Sequence, residues 1–282
     1  YDPLPWLPVL GGRVVDTADA SDRFLWDLRR LVADRISVDY VGGLRSAAAE
    51  HGLRLWLENY GHWGFPGEFL QYGGQSEELG GEFWEGKGLG SIELRAASSA
   101  AHIYGKQIVS AEAFTGGPFW KSTPWSIKAR GDWAVAQGIN HFVLHVYVHQ
   151  PYEDRVPGVN AWFGTELNRF NTWFYTAADW ITYLRRTHFL LQQGKYVADV
   201  AYFIGEDTPK MTGPVKPELP EGYSFDYINA ETVEQRLSVR NGRYVLPDGM
   251  SYRLLVLPDL PTMRPALLRK LRELIRDGGV VV

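Results

Sequence analysis

Apolar residues recur at helical spacing after Ser21-Asp22, at Phe24, Leu25, Leu28, Leu31 and Val32. Ser21-Asp22 is a suitable N-cap, and the pattern runs on to the stop at His51-Gly52, with a break expected near Gly42-Gly43. A short apolar run over 53–58 then reads as a strand ending in Glu58. Residues 59–90 carry ten glycines and no clear period, which predicts a long loop. An alanine-rich helix over 91–104 stops at Gly105, and a strand over 107–112 ends in Glu112. Pro124 opens a helix over 125–137 that stops at Gly138. A strand over 141–148, a loop to about 168 and a long amphipathic helix over 169–193 complete this part.

Helix, strand and loop thus repeat three times, and the strands are continuous apolar runs of the kind buried in parallel sheets. The fold class expected is α/β: the C-terminal portion of a (β/α)8 TIM-type barrel over 1–194. About three βα units do not close an eight-stranded barrel, so the remainder is expected before Tyr1. From 195 to 282 a smaller α/β unit is predicted, with strands over 197–203 and 254–258 and a helix over 265–277. Its stretch 205–251 reads as loop. The proline-rich opening Asp2-Pro3-Leu4-Pro5 and the closing Gly278-Gly279-Val280 predict an internal fragment of a larger protein.

Composition narrows the function classes. The chain has 282 residues, 45% hydrophobic and 22% charged, which is a globular balance. No apolar run is long enough to span a bilayer. A net charge of −4 with no basic stripe argues against nucleic acid as a partner. The absence of cysteine excludes a thiol nucleophile and a thiolate zinc site. Aromatic residues make up 14%, with 11 Trp, and such rings either fill a core or stack on the flat apolar face of a sugar. Trp63, Trp84, Trp120 and Trp162 fall in predicted loops after strands, whereas Trp173 and Trp180 are expected in the core.

Two carboxylates, Glu58 and Glu112, stand at the ends of neighbouring apolar strands. A carboxylate there is costly unless it is paired or solvated in a cleft. One reading is a structural carboxylate capping each loop. The other is a catalytic pair, one protonated to serve the leaving oxygen and one ionised to activate water. Glu82 is a third candidate, while Glu68, Glu77, Glu78 and Glu85 read as ordinary solvated loop acids. Alternation along 141–149 puts His145, Tyr147 and His149 on one face, available to substrate; a zinc site there and satisfied core histidines are the alternatives. Tyr60, His62 and Trp63 suit polar contact plus stacking, and Trp84 and Trp162 suit stacking. No P-loop, no Gly-x-Ser-x-Gly elbow and no dinucleotide fingerprint occurs.

The chain resembles glycoside hydrolase family 106, the α-L-rhamnosidases. The resemblance is carried by Ser21-Asp22-Arg23-Phe24, Leu57-Glu58-Asn59-Tyr60-Gly61, Gly81-Glu82-Phe83-Trp84, Ala111-Glu112-Ala113-Phe114-Thr115 and His145-Val146-Tyr147-Val148-His149-Gln150-Pro151, with further matches to about residue 210. It implies a barrel inside a larger, usually exported enzyme that inverts configuration and binds calcium. By the same resemblance Glu58 is the general acid, Glu112 the general base and Glu82 an active-site glutamate linked to calcium. The part after 195 resembles the amidotransferase-like domain that follows such barrels, without the cysteine that amidotransfer needs. The loop from His62 to Glu68 departs from the family pattern and leaves the sugar open. The expected partner is a carbohydrate substrate. A non-catalytic carbohydrate-binding protein and a histidine-based metallohydrolase are the other readings.

Overall fold

The computed structural model describes residues 1–58, 65–86, 88–116 and 120–282. The proline-rich opening forms a 3-10 helix, Leu4–Gly11, rather than a loop. Thr17, not Ser21, caps α1 (Ala18–Arg35), its hydroxyl accepting the N–H of Ala20. Ser21 lies inside the first turn, its hydroxyl exchanging hydrogen bonds with the backbone of Val15. A π-helical segment, Ile36–Val41, joins α1 to α2 (Gly42–Glu50) where a break was expected.

Four parallel strands follow, β1 (Trp56–Glu58), β2 (Glu78–Trp84), β3 (Val109–Thr115) and β4 (His141–Leu144), ordered β1-β2-β3-β4. Between them come α3 (Phe69–Gln75), α4 (Ile92–Ile103) and α5 (Pro124–Ala136), and α6 (Ala178–Leu191) closes this part. The expected loop over 59–90 therefore contains a helix and a strand. Gly80 and Gly81 hide β2 from a propensity reading, yet the strand needs them. A Cβ on Gly81 would stand 2.7 Å from the carbonyl oxygen of Glu93 in α4. The helix expected over 169–193 begins only at Ala178. Buried Asn168 and Asn171 hold the preceding chain in turns: the Asn168 side chain accepts from Phe170 N–H, and the Asn171 side chain donates to the Glu166 carbonyl.

A second parallel sheet takes β5 (Val200–Phe203), β6 (Phe225–Ile228), β10 (Leu254–Val256) and β11 (Val280–Val281), ordered β11-β10-β5-β6. α7 (Ala230–Gln235) follows β6, and α8 (Pro265–Arg276) lies between β10 and β11. The stretch read as loop holds β6, α7 and a small antiparallel sheet of β7 (Ser238–Arg240), β8 (Arg243–Val245) and β9 (Ser251–Tyr252). Asn241 and Gly242, both at positive φ, make its hairpin turn.

Helix α4 lies between the two large sheets, touching β2, β3 and β6. It is buried nearly all round, with Ala96, Ala97, Ser98, Ser99, Ala100 and Ala101 all fully covered, and small side chains let both sheets approach. Arg95 reaches from α4 to the Tyr196 hydroxyl at 2.9 Å, and His102 pairs with Asp226 at 2.8 Å. One continuous apolar core spans both sheets.

Candidate active site

Register fixes which side chains share a face of the first sheet. Glu58 is level with Gly80, and Glu82 is level with Glu112 and Val143. Because alternate residues share a face, Glu58, Glu82 and Glu112 all project to the side opposite α4. The opposite positions Leu79, Phe83, Ala111, Ala113 and Phe142 are buried in the core. Three carboxylates from three adjacent strands therefore meet at the C-terminal end of a parallel sheet, the end where α/β folds place their sites.

Glu58 is half-buried, and its Oε1 has no hydrogen-bond partner among the described residues. Burial, then the like charges of Glu112, Glu82 and Glu93, push its pKa up to about 7. Neither Glu58 nor Glu112 pairs with a lysine or arginine among the described residues. Glu112 accepts a hydrogen bond from the Thr115 hydroxyl, and His145 Nδ1 lies 4.0 Å from its Oε1. The His145 ring stacks on Phe163 with centroids 5.4 Å apart, and Trp162 meets Phe163 edge-on at 4.9 Å. Trp162 is 75% exposed, so that most of its ring is open to solvent. Glu82 is buried and accepts from the Trp84 indole N–H, the ring of which packs over Gly116.

The loops after β2, β3 and β4 are tied together around this cluster. Glu85 accepts from the Ser122 hydroxyl at 2.7 Å and from that of Thr165 at 3.4 Å. Buried Glu166 accepts from the Trp120 backbone N–H at 2.8 Å and from Asn160 at 3.2 Å.

The structure thus gathers Glu58, Glu82, Glu112, Trp84 and His145, with Trp162 one ring further out. Trp84 terminates β2 rather than sitting in a loop. Tyr147 and His149 do not continue a strand: β4 ends at Leu144, and each lies in an isolated bridge, with Leu167 and Val159 respectively. Both are exposed, and no hydrogen bond or ion pair joins either to Glu58 or Glu112 among the described residues. Tyr60, His62 and Trp63 lie outside the described residues. As expected, Trp180 is in the core; Trp173, half-buried, donates to the Ser122 carbonyl at 2.8 Å. Glu68 is not a solvated loop acid but a buried partner of Arg30 at 2.7 Å. Thr115 and Phe163 were missed from the sequence, since a threonine three residues after Glu112 ought to face away along a regular strand.

Among the described residues no group of three or more His, Asp or Glu side chains is placed to hold a metal ion. Calcium takes several oxygen ligands, and among the described residues Glu82 is one candidate for such a ligand. A cleft of about 840 Å3 opens at the other end of the sheet, among Lys106, Gln107, Asn140 and Tyr196, away from the carboxylates. No helix of the described residues is long and apolar enough to cross a membrane.

Carboxylates gathered at the strand ends of a parallel α/β sheet are an arrangement compatible with glycoside hydrolysis. The chain belongs to the α-L-rhamnosidase family, glycoside hydrolase family 106, which it matches over residues 1–282. It is similar over its whole length to a rhamnosidase structure from Novosphingobium sp. PP1Y, with a TM-score of 0.90 and 32% identity, covering 28% of that chain. It is 38% identical over 284 aligned positions to a Formosa agariphila protein that bears the name of a β-glucuronidase, covering 24% of it. A β-galactosidase structure from Marinomonas ef1, at 13% identity and a TM-score of 0.56, shares the fold alone. The chain thus spans about a quarter of the length of the first two relatives.

Proposed function

We propose that the protein hydrolyses α-L-rhamnosides, with Glu58 as general acid and Glu112 as general base. The observation that carries this reading is the carboxyl of Glu58, raised to about 7 on a face shared with Glu112. An acid that keeps a substantial protonated fraction near neutral pH can pass its proton to the departing glycosidic oxygen. Glu112, in its ionised form, takes a proton from the water that attacks the anomeric carbon from the opposite side. One strand separates β1 from β3, which sets their backbones about 9–10 Å apart. Inversion requires the two carboxyls to stand about 6.5–9.5 Å apart, with room for water between them, rather than the roughly 5 Å of retention. Four parallel strands with intervening helices fit a portion of a (β/α)8 barrel over 1–194, and 195–282 fit an amidotransferase-like unit.

The names of the relatives diverge on the sugar. A uronate would bring a carboxylate against three glutamates, with no lysine or arginine paired to Glu58 or Glu112 among the described residues. That repulsion favours a neutral sugar. Trp162, Trp84 and His145 supply the stacking and hydrogen-bonding groups for it. By resemblance alone we also propose an exported protein with calcium near Glu82; a chelator should then lower turnover.

The test is turnover of p-nitrophenyl α-L-rhamnoside by the full-length protein, beside the β-glucuronide. Rhamnoside cleavage lost by about 100-fold or more in both Glu58→Gln and Glu112→Gln is expected, with the β-anomer of rhamnose appearing first by proton NMR. Cleavage surviving both substitutions overturns the assignment. Binding without turnover would instead leave a carbohydrate-binding protein.

A further inference from the structure

Regular alternation would turn Thr115 away from Glu112, since three residues separate opposite faces of a strand. The structure does otherwise. The β2–β3 register shifts between Phe83 and Trp84, so that Phe83 is level with Ala113 but Trp84 with Thr115. The extra residue, Phe114, takes φ of 68°, the left-handed region that a phenylalanine rarely adopts. This bulge returns Thr115 to the carboxylate face, where its hydroxyl donates to Glu112 Oε1.

The bulge is fastened on every side. Its Phe114 carbonyl accepts from the Thr165 hydroxyl at 2.7 Å, and its Thr115 carbonyl accepts from the Glu85 N–H at 3.0 Å. The Gly116 N–H donates to the Phe163 carbonyl. The Phe114 ring is buried among Phe83, Phe142 and Trp180. Gly116 has φ of 78°, and a Cβ there would stand 2.6 Å from the Trp84 ring. A strained residue held by this many contacts beside a candidate active site is a feature retained for a purpose.

We propose that Thr115 is the positioning residue of Glu112, and that the Phe114 bulge serves to deliver its hydroxyl. The hydroxyl fixes one carboxylate oxygen and leaves the other to take the proton of the attacking water. The inference rests on the reading of Glu112 as general base. It predicts a loss in turnover rather than in substrate affinity, because Thr115 acts through Glu112 and not on the sugar.

The experiment is a double-mutant cycle in the full-length protein, reading kcat and KM on p-nitrophenyl α-L-rhamnoside. Thr115→Val should lower kcat roughly 10- to 100-fold, the range of a hydrogen bond to a charged group, and leave KM within about twofold. Thr115→Ser should restore most of the turnover. In a Glu112→Ala background Thr115→Val should add no further loss, whereas a merely structural role would cost the same in both backgrounds. Thr115→Ala removes the hydroxyl without adding bulk and replaces the valine variant should that fail to fold. Additive losses, or turnover unchanged in the valine and alanine variants while Glu112→Ala is inactive, overturn the positioning role alone. Undiminished turnover in Glu112→Ala overturns the catalytic reading itself.

Discussion

Glu58 holds its proton because every neighbour that the structure records around it disfavours charge. It is half-buried, one oxygen lacks a partner among the described residues, and Glu112, Glu82 and Glu93 add repulsion. Raising the folded-state pKa from 4.5 to about 7 has a consequence for stability. The protonated carboxyl is accommodated below the unfolded value. The associated stability is lost as pH rises toward and through about 7, where the folded protein must carry the charge. Glu58→Gln mimics the protonated form, so its melting temperature should match that of the wild type near pH 4 and exceed it by a few degrees near pH 8. Scanning calorimetry at both values checks this, and an equal difference at both would contradict it. At this scale the sequence was informative where alternation holds: Glu58 and Glu112 are legible as acids ending apolar runs, whereas the approach of His145 to Glu112 is not. Thr115 was illegible because a bulge inverts the parity on which such a reading depends.

Elements were legible where periodicity carried the signal. Helix α8 carries Leu267, Leu271 and Leu274 on its buried side and falls where the sequence predicts. Strand β2 did not read as a strand because Gly80 and Gly81 carry no strand propensity; the close approach of α4 explains Gly81, and Ser110 and Trp56 crowd Gly80 on the other face. Gly81→Ala should therefore cost about 1–3 kcal/mol, since the Glu93 carbonyl is backbone and cannot swing aside. Urea denaturation measures the cost, and a change under about 0.5 kcal/mol would show that the sheet and α4 do not pack this closely. The long helix expected up to 193 was shortened at its start by Asn168 and Asn171, whose side-chain hydrogen bonds compete with helix. The hairpin at Asn241-Gly242 did carry a readable signal, an Asn-Gly pair between the short runs Ser238-Val239-Arg240 and Arg243-Tyr244-Val245.

Across the whole molecule the two sheets behave as layers on one helix. The sequence changes pattern near residue 195, but it does not show the contacts that join the two sheets. Such contacts pair residues far apart in sequence: Glu68 with Asn229 and Gln71 with Glu231, with Arg30 holding Glu68 from α1. Burial pushes the Glu68 carboxyl up, and the Arg30 ion pair and Asn229 hydrogen bond oppose it. This network ties α1 to the start of α3 and to the start of α7.

On the carboxylate face, the role proposed for Glu58 is proton donation opposite Glu112. The most direct measurement is the pH dependence of kcat/KM for an aryl α-L-rhamnoside, taken on the full-length protein and on Glu58→Gln. The wild type should lose activity as pH rises through about 7, and the slow variant should show no such fall. The same fall in both proteins would mean that another group, not Glu58, donates the proton.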